Sequence, residues 1–267
     1  MPIPDFSDRS ISDLISLTGR CAVVTGGGSG IGRAIAGRLA EAGCDVVLLD
    51  VDRDAAEAAA AELARSRARR VVAVEGDVAN PGYPAAAIEA ALGLAGRLDI
   101  WVNNAGICHA HPLSELSVPE WDLTHHVDLR GAFIGAQAGS SAMIAAGAGG
   151  VIVNMVSVSG FRGRAGHAHY TAAKHGVVGL TKSLAIELGP HNIRVLGIAP
   201  TLVATEGQRR HAAGQGSAVN DAVAKTIALG RVAVPDDVAR VAVFLASDLA
   251  AFMTGSTVFV DGGSGAF

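Results

Sequence analysis

The chain has 267 residues, half of them hydrophobic, with a formal net charge of −4 and three cysteines. This length and apolar content fit one large domain, and the dispersed lysines and arginines provide no basic face for a nucleic-acid backbone. No apolar run approaches the about 20 residues that a membrane-spanning helix needs. The acidic amino terminus does not resemble a secretion signal, and Cys21, Cys44 and Cys108 have no metal or redox spacing. We therefore expect a cytoplasmic protein that binds neither nucleic acid nor membrane.

Short runs rich in valine and isoleucine predict strands at residues 21–25, 45–49, 71–75, 99–103, 151–155, 193–198 and 257–260. Alanine-rich stretches with helical spacing separate them, at residues 31–42, 53–66, 84–96, 118–147, 165–189 and 235–247. This alternation indicates parallel strand pairing with right-handed crossovers. We predict an α/β fold: a single doubly wound domain over residues 17–267, with a mostly parallel seven-stranded sheet and helices on both faces, after an amino-terminal extension of residues 1–16.

One polar, glycine-containing segment, residues 205–221, breaks the alternation of strands and helices. A long loop of this kind in a compact fold is usually a lid or is disordered. We favour the lid and expect a substrate loop near residues 202–230.

The first predicted strand runs into the turn TGGGSGIG, and a helix follows at once. Gly26, Gly30 and Gly32 permit positive φ angles and a close approach to the backbone, while the start of the helix offers free N–H groups to a pyrophosphate. Turns of this type also occur without a ligand. No Lys-Ser or Lys-Thr follows the glycines, which disfavours a nucleoside-triphosphate P-loop.

The second strand ends at Asp50, where a dinucleotide-binding unit places the carboxylate that accepts the ribose hydroxyls. An anion there repels a 2′-phosphate, so the sequence favours NAD over NADP as the cofactor. Arg33 and Arg53 weaken this preference, because either guanidinium could reach a phosphate unless both are solvated helix residues. After the third strand, Asp77 either meets the adenine edge or caps the next turn.

Further motifs follow the later strands in order. NNAG at 103–106 ends the fourth strand, Ser157 follows the fifth, Tyr170 and Lys174 form Y-x-x-x-K, and DGG lies at 261–263. With the glycine-rich turn, these motifs resemble the short-chain dehydrogenase/reductase family over about residues 17–263. The resemblance implies a Rossmann fold and an oxidoreductase that interconverts a secondary alcohol and a ketone by hydride transfer.

The resemblance also implies catalytic roles for three residues. Tyr170 acts as the general acid or base, and Ser157 donates a hydrogen bond to the substrate oxygen. Because the pKa of a free phenol is about 10, its anion needs a neighbouring positive charge at neutral pH. Lys174, one helical turn after Tyr170, supplies that charge and binds the nicotinamide ribose.

The cofactor contacts implied by the resemblance fall at the ends of the predicted strands. Asn104, Ala105 and Gly106 line the adenine-ribose side. Near the nicotinamide, Thr201 stands where the family usually has glycine. The full set of expected cofactor contacts is Gly26, Ser29, Gly30, Ile31, Gly32, Asp50, Asp77, Val78, Asn104, Ala105, Gly106, Tyr170, Lys174, Pro200, Val203 and Thr205.

One position departs from the family pattern. Many members carry an asparagine in the helix before the fifth strand, within a V-N-x-x-G segment, and here the segment VDLRGAF has Asp128 in its place. In the family, that asparagine bends its helix so that its main-chain carbonyl holds a water that connects the lysine to solvent. We expect this relay to persist, with Asp128 as a fourth catalytic residue that is either protonated or paired with a cation such as Arg130 or a histidine.

The sequence HAH occurs twice and HH once. No nearby acid completes a defined ligand set, so we expect no metal. In related proteins, the loop after NNAG and the turn before the tyrosine border the mouth of the substrate site. His109, His111, Ser159 and His167 are therefore candidate substrate contacts, with solvated loop histidines as the alternative.

Only 4% of the chain is aromatic, and the predicted pocket mixes Ile107, Phe161 and Leu202 with histidines and arginines. This composition favours a small carbonyl or alcohol substrate such as a polyol or sugar, with a 3-oxoacyl thioester as the second choice. A non-catalytic nucleotide-binding scaffold is an alternative of another class, and a sugar-nucleotide epimerase or dehydratase would need a longer carboxyl-terminal domain. The resemblance also implies a homotetramer in which the two long helices pair between subunits.

Overall fold

The computed structural model describes residues 5–67, 69–206 and 223–266. Its strands are β1 (Cys21–Thr25), β2 (Asp45–Asp50), β3 (Val71–Glu75), β4 (Ile100–Asn103), β5 (Gly150–Met155), β6 (Ile193–Pro200) and β7 (Thr257–Val260). They form one sheet in the order β3-β2-β1-β4-β5-β6-β7, and each pairing between neighbours is parallel. The predicted α/β fold class is confirmed, and these strands form a fully parallel sheet.

Helices cover both faces of this sheet. They are α1 (Ile11–Ile15), α2 (Gly30–Glu41), α3 (Arg53–Arg67), α4 (Pro84–Ala95), α5 (Val118–His125), α6 (Gly131–Ala146), α7 (Ala168–Leu188) and α8 (Pro235–Ala246). Ala22 and Val24 of β1 share one core with α2, α3 and α8, whereas Cys21 and Val23 share the other with α4, α6 and α7. Because side chains alternate along a strand, a continuously apolar strand such as β1 must be covered on both faces.

The order of the strands places a crevice between β1 and β4. The chain runs outward from β1 to β3 and then returns to β4, which pairs with the other side of β1. Ligands of open parallel sheets bind at such a reversal, outside the carboxyl ends of the strands. The glycine-rich turn follows β1, and the NNAG motif begins at the last residue of β4 and continues into the loop after it. Both therefore border this crevice.

Two predicted helices differ from the structure. The stretch predicted as one helix over 118–147 contains a π-helical turn, His126–Arg130, between α5 and α6. The helix predicted from residue 165 begins at Ala168, because Gly166 has φ +74° and His167 has φ −130°, neither of which fits a right-handed helix. Alanine content and apolar spacing do not distinguish these backbone conformations from an α-helix.

The amino-terminal extension contacts the rest of the chain. Helix α1 lies against the 3-10 turn Asp248–Ala250. The guanidinium groups of Arg9 and Arg20 contact the two carboxylate oxygens of Asp248, at 3.0 and 2.6 Å. Because these ion pairs are partly exposed, they contribute little stability, and only the pair of Arg9 connects the extension to the rest of the chain.

The segment that the sequence predicts to be a lid, residues 205–221, lies outside the described residues except for Thr205 and Glu206. Within the described ranges, no helix combines the length and the apolar character needed to cross a membrane.

Candidate active site

The turn after β1 and the segment after β4 are joined by hydrogen bonds. The Asn104 side-chain amide donates to the carbonyl oxygens of Thr25 and Gly26, at 2.9 and 3.2 Å. The backbone N–H groups of Asn104 and Ala105 donate to Thr25 Oγ1, at 2.9 and 3.0 Å. Thr25 therefore fixes both walls of the crevice, a role that the sequence analysis missed. Its only sequence signal is a hydroxyl at the end of an otherwise apolar buried strand.

Glycines at this turn allow its backbone to pack tightly. Gly26 and Gly30 have φ +62° and +53°, in the left-handed region that glycine favours. A Cβ at Gly32 would lie 2.0 Å from the Gly26 carbonyl oxygen. Helix α2 consequently begins at the crevice, where its first N–H groups have no intrahelical acceptor and fit the charge of a pyrophosphate.

Asp50 lies at the end of β2, beside this turn. Its Oδ2 accepts a hydrogen bond from the Gly28 N–H at 2.9 Å, and its Oδ1 accepts one from the Asp52 N–H at 3.0 Å. Each oxygen of a carboxylate can accept a second donor, so both remain available to ribose hydroxyls. The Asp77 carboxylate accepts a hydrogen bond from the Ala79 N–H at 2.9 Å. Of the two roles expected for Asp77, this contact is the one that caps the next turn.

The two arginines that the sequence singled out near the ribose both contact carboxylates. The Arg33 guanidinium pairs with Glu62, and the Arg53 guanidinium pairs with Glu57. A 2′-phosphate would have to compete with these partners while lying near the Asp50 carboxylate.

The structure brings Ser157, Tyr170 and Lys174 together beyond the carboxyl end of β5. Ser157 caps a 3-10 turn, and its Oγ accepts a hydrogen bond from the Ser159 N–H at 3.1 Å. Tyr170 lies in the first turn of α7, and Lys174 follows one turn later. The Lys174 ammonium donates to the Met155 carbonyl oxygen at 3.0 Å and lies 5.5 Å from the centre of the Tyr170 ring.

Burial and charge set the protonation of these groups. Burial raises the pKa of the Tyr170 phenol, whereas the Lys174 ammonium and the Ser157 hydroxyl act against that rise. Burial lowers the pKa of Lys174, but the charges of Asp128 and of ionised Tyr170 outweigh it, so that the pKa lies above its ordinary value. At neutral pH, Lys174 is therefore an ammonium, positioned to stabilise the anion of Tyr170.

Asp128 lies in the π-helical turn and pairs with Lys174. Its Oδ2 is 3.2 Å from the Lys174 ammonium, and its Oδ1 accepts the Ile107 N–H at 2.8 Å. The expected pairing of Asp128 with a cation is made with Lys174 rather than with Arg130, and the charge of His125 also acts on this carboxylate. Arg130 is exposed and lies two residues further on, and residues two apart do not share a helix face.

The candidate substrate residues divide by burial. His109 is exposed and His111 is partly exposed, with their ring centres 6.4 Å apart. His167 is buried, with Nδ1 2.9 Å from the Ala165 carbonyl oxygen and its ring centre 6.5 Å from that of Tyr170. Ser159 is buried, and its backbone N–H donates a hydrogen bond to the Ser157 hydroxyl oxygen.

Two further side chains lie near this histidine cluster. The ring of His169 is almost fully buried, 5.9 Å from that of His111, and its Nδ1 has no hydrogen-bond partner among the described residues. Cys108 is an exposed free thiol whose charge, when ionised, raises the pKa of Tyr170. In the described part of the chain, no three His, Cys, Asp or Glu side chains are grouped to hold a metal ion.

The segment after β6 lies on the other side of the glycine-rich turn. Strand β6 ends at Pro200, and Val203 forms an isolated parallel bridge with Ala233. The Thr205 methyl group would lie 3.3 Å from a Cβ added at Gly30. This segment is therefore placed to close the crevice beside the start of α2.

Known proteins that resemble this chain share its motifs and fold. A family model described as enoyl-(acyl carrier protein) reductase matches residues 26–265. D-threitol dehydrogenase of Mycolicibacterium smegmatis is 44% identical over 248 residues, covering 92% of this chain and 93% of that protein. This chain belongs to the short-chain dehydrogenase/reductase family.

Other members of the short-chain dehydrogenase/reductase family extend the likeness. L-rhamnose 1-dehydrogenase (NAD(P)(+)) of a Sphingomonas species is 38% identical over 248 residues, covering 92% of this chain and 96% of that protein. A solved structure from Agrobacterium tumefaciens, provisionally assigned as a 2-deoxy-D-gluconate 3-dehydrogenase and holding NADP, matches with a TM-score of 0.86 and 35% identity, over 96% of this chain and 100% of that one. The protein is a nicotinamide-dependent oxidoreductase that acts on CH–OH groups.

The residues of this short-chain dehydrogenase/reductase fit a nicotinamide dinucleotide. The glycine-rich turn presents the first N–H groups of α2, which suit a pyrophosphate, and the turn can pack in this way because Gly32 has no side chain to collide with the Gly26 carbonyl. Asp50 offers acceptors at the ribose position. The Lys174 ammonium has three N–H groups, of which the Met155 carbonyl accepts one, so donors remain for a second ribose beside the ion pair with Asp128.

Proposed function

We propose that the protein is an NAD(H)-dependent dehydrogenase that interconverts a secondary alcohol of a polyol or sugar with the corresponding ketone. The observation that carries this proposal is the convergence of Ser157, Tyr170 and Lys174 at the crevice beside the glycine-rich turn. These side chains supply a hydrogen-bond donor, a proton acceptor and a fixed positive charge. Bound NAD supplies the hydride acceptor in the direction of oxidation.

In oxidation, the Tyr170 phenolate accepts the proton of the substrate hydroxyl while the hydrogen on carbon leaves as a hydride. Lys174 stabilises the phenolate before this step. Ser157 Oγ accepts the Ser159 N–H, and its hydroxyl, which contacts the Tyr170 phenol in this structure, can donate its proton to the substrate oxygen when a substrate is bound. In reduction the same steps reverse, and the Tyr170 phenol protonates the oxygen that forms.

The charges around Asp50 support NAD as the preferred cofactor. Its carboxylate stands at the end of β2 beside the turn, and the nearby Arg33 and Arg53 pair with Glu62 and Glu57. A ribose with free hydroxyls gains acceptors there, whereas a 2′-phosphate meets a negative charge.

Two features support a polyol or sugar as the substrate. The ring of His167 packs against that of Tyr170, and His109 and His111 lie near each other in the loop after β4, so these rings are candidates to exchange hydrogen bonds with several hydroxyls, His111 in competition with Glu120. The similar proteins named above are D-threitol and L-rhamnose dehydrogenases. A 3-oxoacyl thioester is the second candidate, because the matching family model is described as a reductase of acyl carrier protein substrates.

The proposal is tested by incubating the protein with a panel of polyols and sugars, and separately with a 3-oxoacyl thioester, while following the nicotinamide absorbance. We expect turnover of a polyol with NAD. Tyr170→Phe should lower kcat by about a thousandfold without changing the Kd for NADH, because general acid-base catalysis contributes roughly that much. The matched control is Tyr83→Phe, since Tyr83 is the other tyrosine of the chain and its buried hydroxyl donates to the Gly131 carbonyl rather than to a residue of the Ser157, Tyr170 and Lys174 group.

Other results would point elsewhere. Turnover of the thioester alone would replace the polyol assignment. Binding of NADH without turnover of any substrate, and with no effect of Tyr170→Phe, would support a nucleotide-binding scaffold instead.

We also propose that the enzyme is a cytoplasmic homotetramer. The three cysteines are free thiols, as expected in a reducing compartment. Helices α6 and α7 carry partly or largely exposed apolar side chains at Phe133, Ile144 and Ile186, which a subunit contact would cover. Sedimentation equilibrium tests the assembly, and a monomer at micromolar concentration would contradict it.

A further inference from the structure

A buried carboxylate lies directly behind the lysine of the active site. Asp128 and Lys174 are 2% and 3% exposed, and their charged atoms are 3.2 Å apart. An ionised group this deeply buried requires a partner of opposite charge or loses its charge. Many members of the family carry an uncharged asparagine at the position of Asp128, so the charge of this pair departs from that pattern.

The contacts of Asp128 show which form the carboxyl group takes. Its Oδ1 faces the Ile107 N–H, and its Oδ2 faces the Lys174 ammonium. Oδ2 has no hydrogen-bond partner among the described residues, so its contact with Lys174 is an ion pair, and a proton on either oxygen would face a donor rather than an acceptor. Burial holds the pKa of Asp128 above its ordinary value, although Lys174 and the Ile107 N–H act against that rise. The geometry favours the carboxylate.

Other titratable groups face this pair from three parts of the chain. Cys108, in the loop after β4, acts on Tyr170, and His125 of α5 acts on Asp128. In the loop before α7, Arg164 acts on Cys108 and His167 packs edge-on to Tyr170. Among the described residues, Asp128 is the carboxylate within ion-pair distance of Lys174.

We propose that Asp128 is the ionised counter-ion of Lys174, a positioning residue that holds the ammonium between Met155 and the loop at Ile107 and keeps the Tyr170–Lys174 pair protonated to higher pH. The Ile107 N–H and the Lys174 ammonium contact different oxygens of one carboxylate, so the loop after β4 and helix α7 are held together through Asp128. The effect on proton transfer rests on the proposed function. The ionisation of the pair does not, and it can be measured without a substrate.

The sign of the effect follows from charge. A negative charge beside the Tyr170–Lys174 pair makes removal of a proton from the pair harder, whichever of the two residues releases it. Replacing Asp128 by asparagine keeps the shape and removes that charge. The first proton should therefore leave the pair at a pH that is lower by about one unit or more.

Tyrosinate absorbance measures this shift directly. The chain has two tyrosines, and burial raises the pKa of both, so the signal of Tyr170 must be separated from that of Tyr83 by a blank that lacks Tyr170. We propose ultraviolet titrations of the wild type and of Asp128→Asn, each with a Tyr170→Phe version subtracted as the blank. The Tyr170 transition should move to lower pH in Asp128→Asn.

A matched control is Asp99→Asn. Asp99 is another buried carboxylate that accepts a backbone N–H, from Cys21, and pairs with a cation, Arg97, but it lies at the opposite end of β4. Its replacement should leave the Tyr170 transition unchanged. An unchanged or higher transition in Asp128→Asn, or an equal shift in both variants, would overturn the proposal.

A second measurement covers the case in which Asp128→Asn folds poorly. Lys174→Met leaves Asp128 without its counter-ion, so urea should unfold this variant at a much lower concentration at neutral pH than at mildly acidic pH. Adding Asp128→Asn to Lys174→Met should restore stability at neutral pH. If the double variant is no more stable than Lys174→Met, Asp128 is uncharged and the proposal fails. A shift in these measurements without turnover of any polyol would refute the proposed function alone.

Discussion

The Asp50 carboxylate and the Gly28 N–H, 2.9 Å apart, connect the end of β2 to the glycine-rich turn. This contact orients the Asp50 carboxylate, which we propose binds the adenine ribose. We predict that Asp50→Ser weakens NAD binding by about tenfold to a hundredfold, because a hydrogen bond to a charged group contributes about 1.5–3 kcal/mol. The loss for NADP should be smaller, since the same change removes a charge that repels its 2′-phosphate. Kd values from nicotinamide fluorescence measure both effects.

The control for Asp50→Ser is Asp122→Asn. This change removes the charge of an exposed carboxylate on α5, a different element from the end of β2 that carries Asp50. It should leave both Kd values unchanged. Equal losses of NAD and NADP affinity in Asp50→Ser would show that Asp50 only orders the turn.

Gly32 packs against the Gly26 carbonyl so closely that no side chain fits. An added Cβ would lie 2.0 Å from that oxygen and 2.5 Å from Asn104 Nδ2. We predict that Gly32→Ala displaces the turn, lowers the free energy of unfolding by about 3 kcal/mol, as overpacking does, and abolishes detectable NADH binding. Urea unfolding and nicotinamide fluorescence are the measurements.

Gly93→Ala in α4 is the matched control for this change. No atom lies within 4 Å of a Cβ added there, and the residue is exposed. Alanine should therefore stabilise the helix by about 0.5–1 kcal/mol and leave cofactor binding intact. Normal NADH binding by Gly32→Ala would contradict the role assigned to the turn.

Much of the fold was predictable because its signals are local. The predicted strands differ from the observed ones by at most two residues at either end, since short β-branched runs buried on both faces have few alternatives. The glycine-rich turn and the four-residue spacing of Tyr170 and Lys174 likewise fix local geometry, and the structure places these residues around one crevice.

The rest depended on contacts between distant segments. The counter-ion of Asp128 is Lys174, a residue whose proximity follows from the packing of α7 beside the π-helical turn rather than from any neighbour in sequence. The role of Thr25 depends on where the segment after β4 lies. The burial of His169 follows from the start of α7 at Ala168, which the left-handed Gly166 determines.

His167 is buried beside Tyr170, and we predict that it selects the substrate. Its Nδ1 lies 2.9 Å from the Ala165 carbonyl oxygen, which leaves Nε2 to contact a hydroxyl of the substrate. His167→Ala should raise the KM for the preferred polyol about tenfold, the effect of one lost hydrogen bond, with an unchanged Kd for NADH. Steady-state kinetics with a binding titration separate the two quantities.

His191→Ala is the control for this prediction. His191 is exposed in the 3-10 turn before β6, at the edge of the sheet opposite the active site. An equal rise in KM in both variants, or a parallel loss of NADH affinity in His167→Ala, would count against a contact with the substrate.

Asp237 ties the start of α8 to two arginines, and it should make stability depend on pH. Its Oδ2 accepts the Val234 N–H at 2.9 Å, and its carboxylate pairs with Arg231 and Arg240. The pKa of Asp237 lies below its ordinary value, mainly because Arg231 donates hydrogen bonds to the carboxylate. A group whose pKa is lowered on folding stabilises the folded state above its unfolded pKa, and this contribution is lost as the pH falls through the folded pKa.

We therefore predict that Asp237→Asn lowers the free energy of unfolding at neutral pH by about 1 kcal/mol, a modest value because both arginines are mostly exposed. The difference from the wild type should shrink as the pH falls below the ordinary pKa of an aspartate, and should also shrink in high salt. Urea unfolding across acidic pH measures this difference. A difference that stays constant with pH would mean that Asp237 acts through the shape of the cap rather than through its charge.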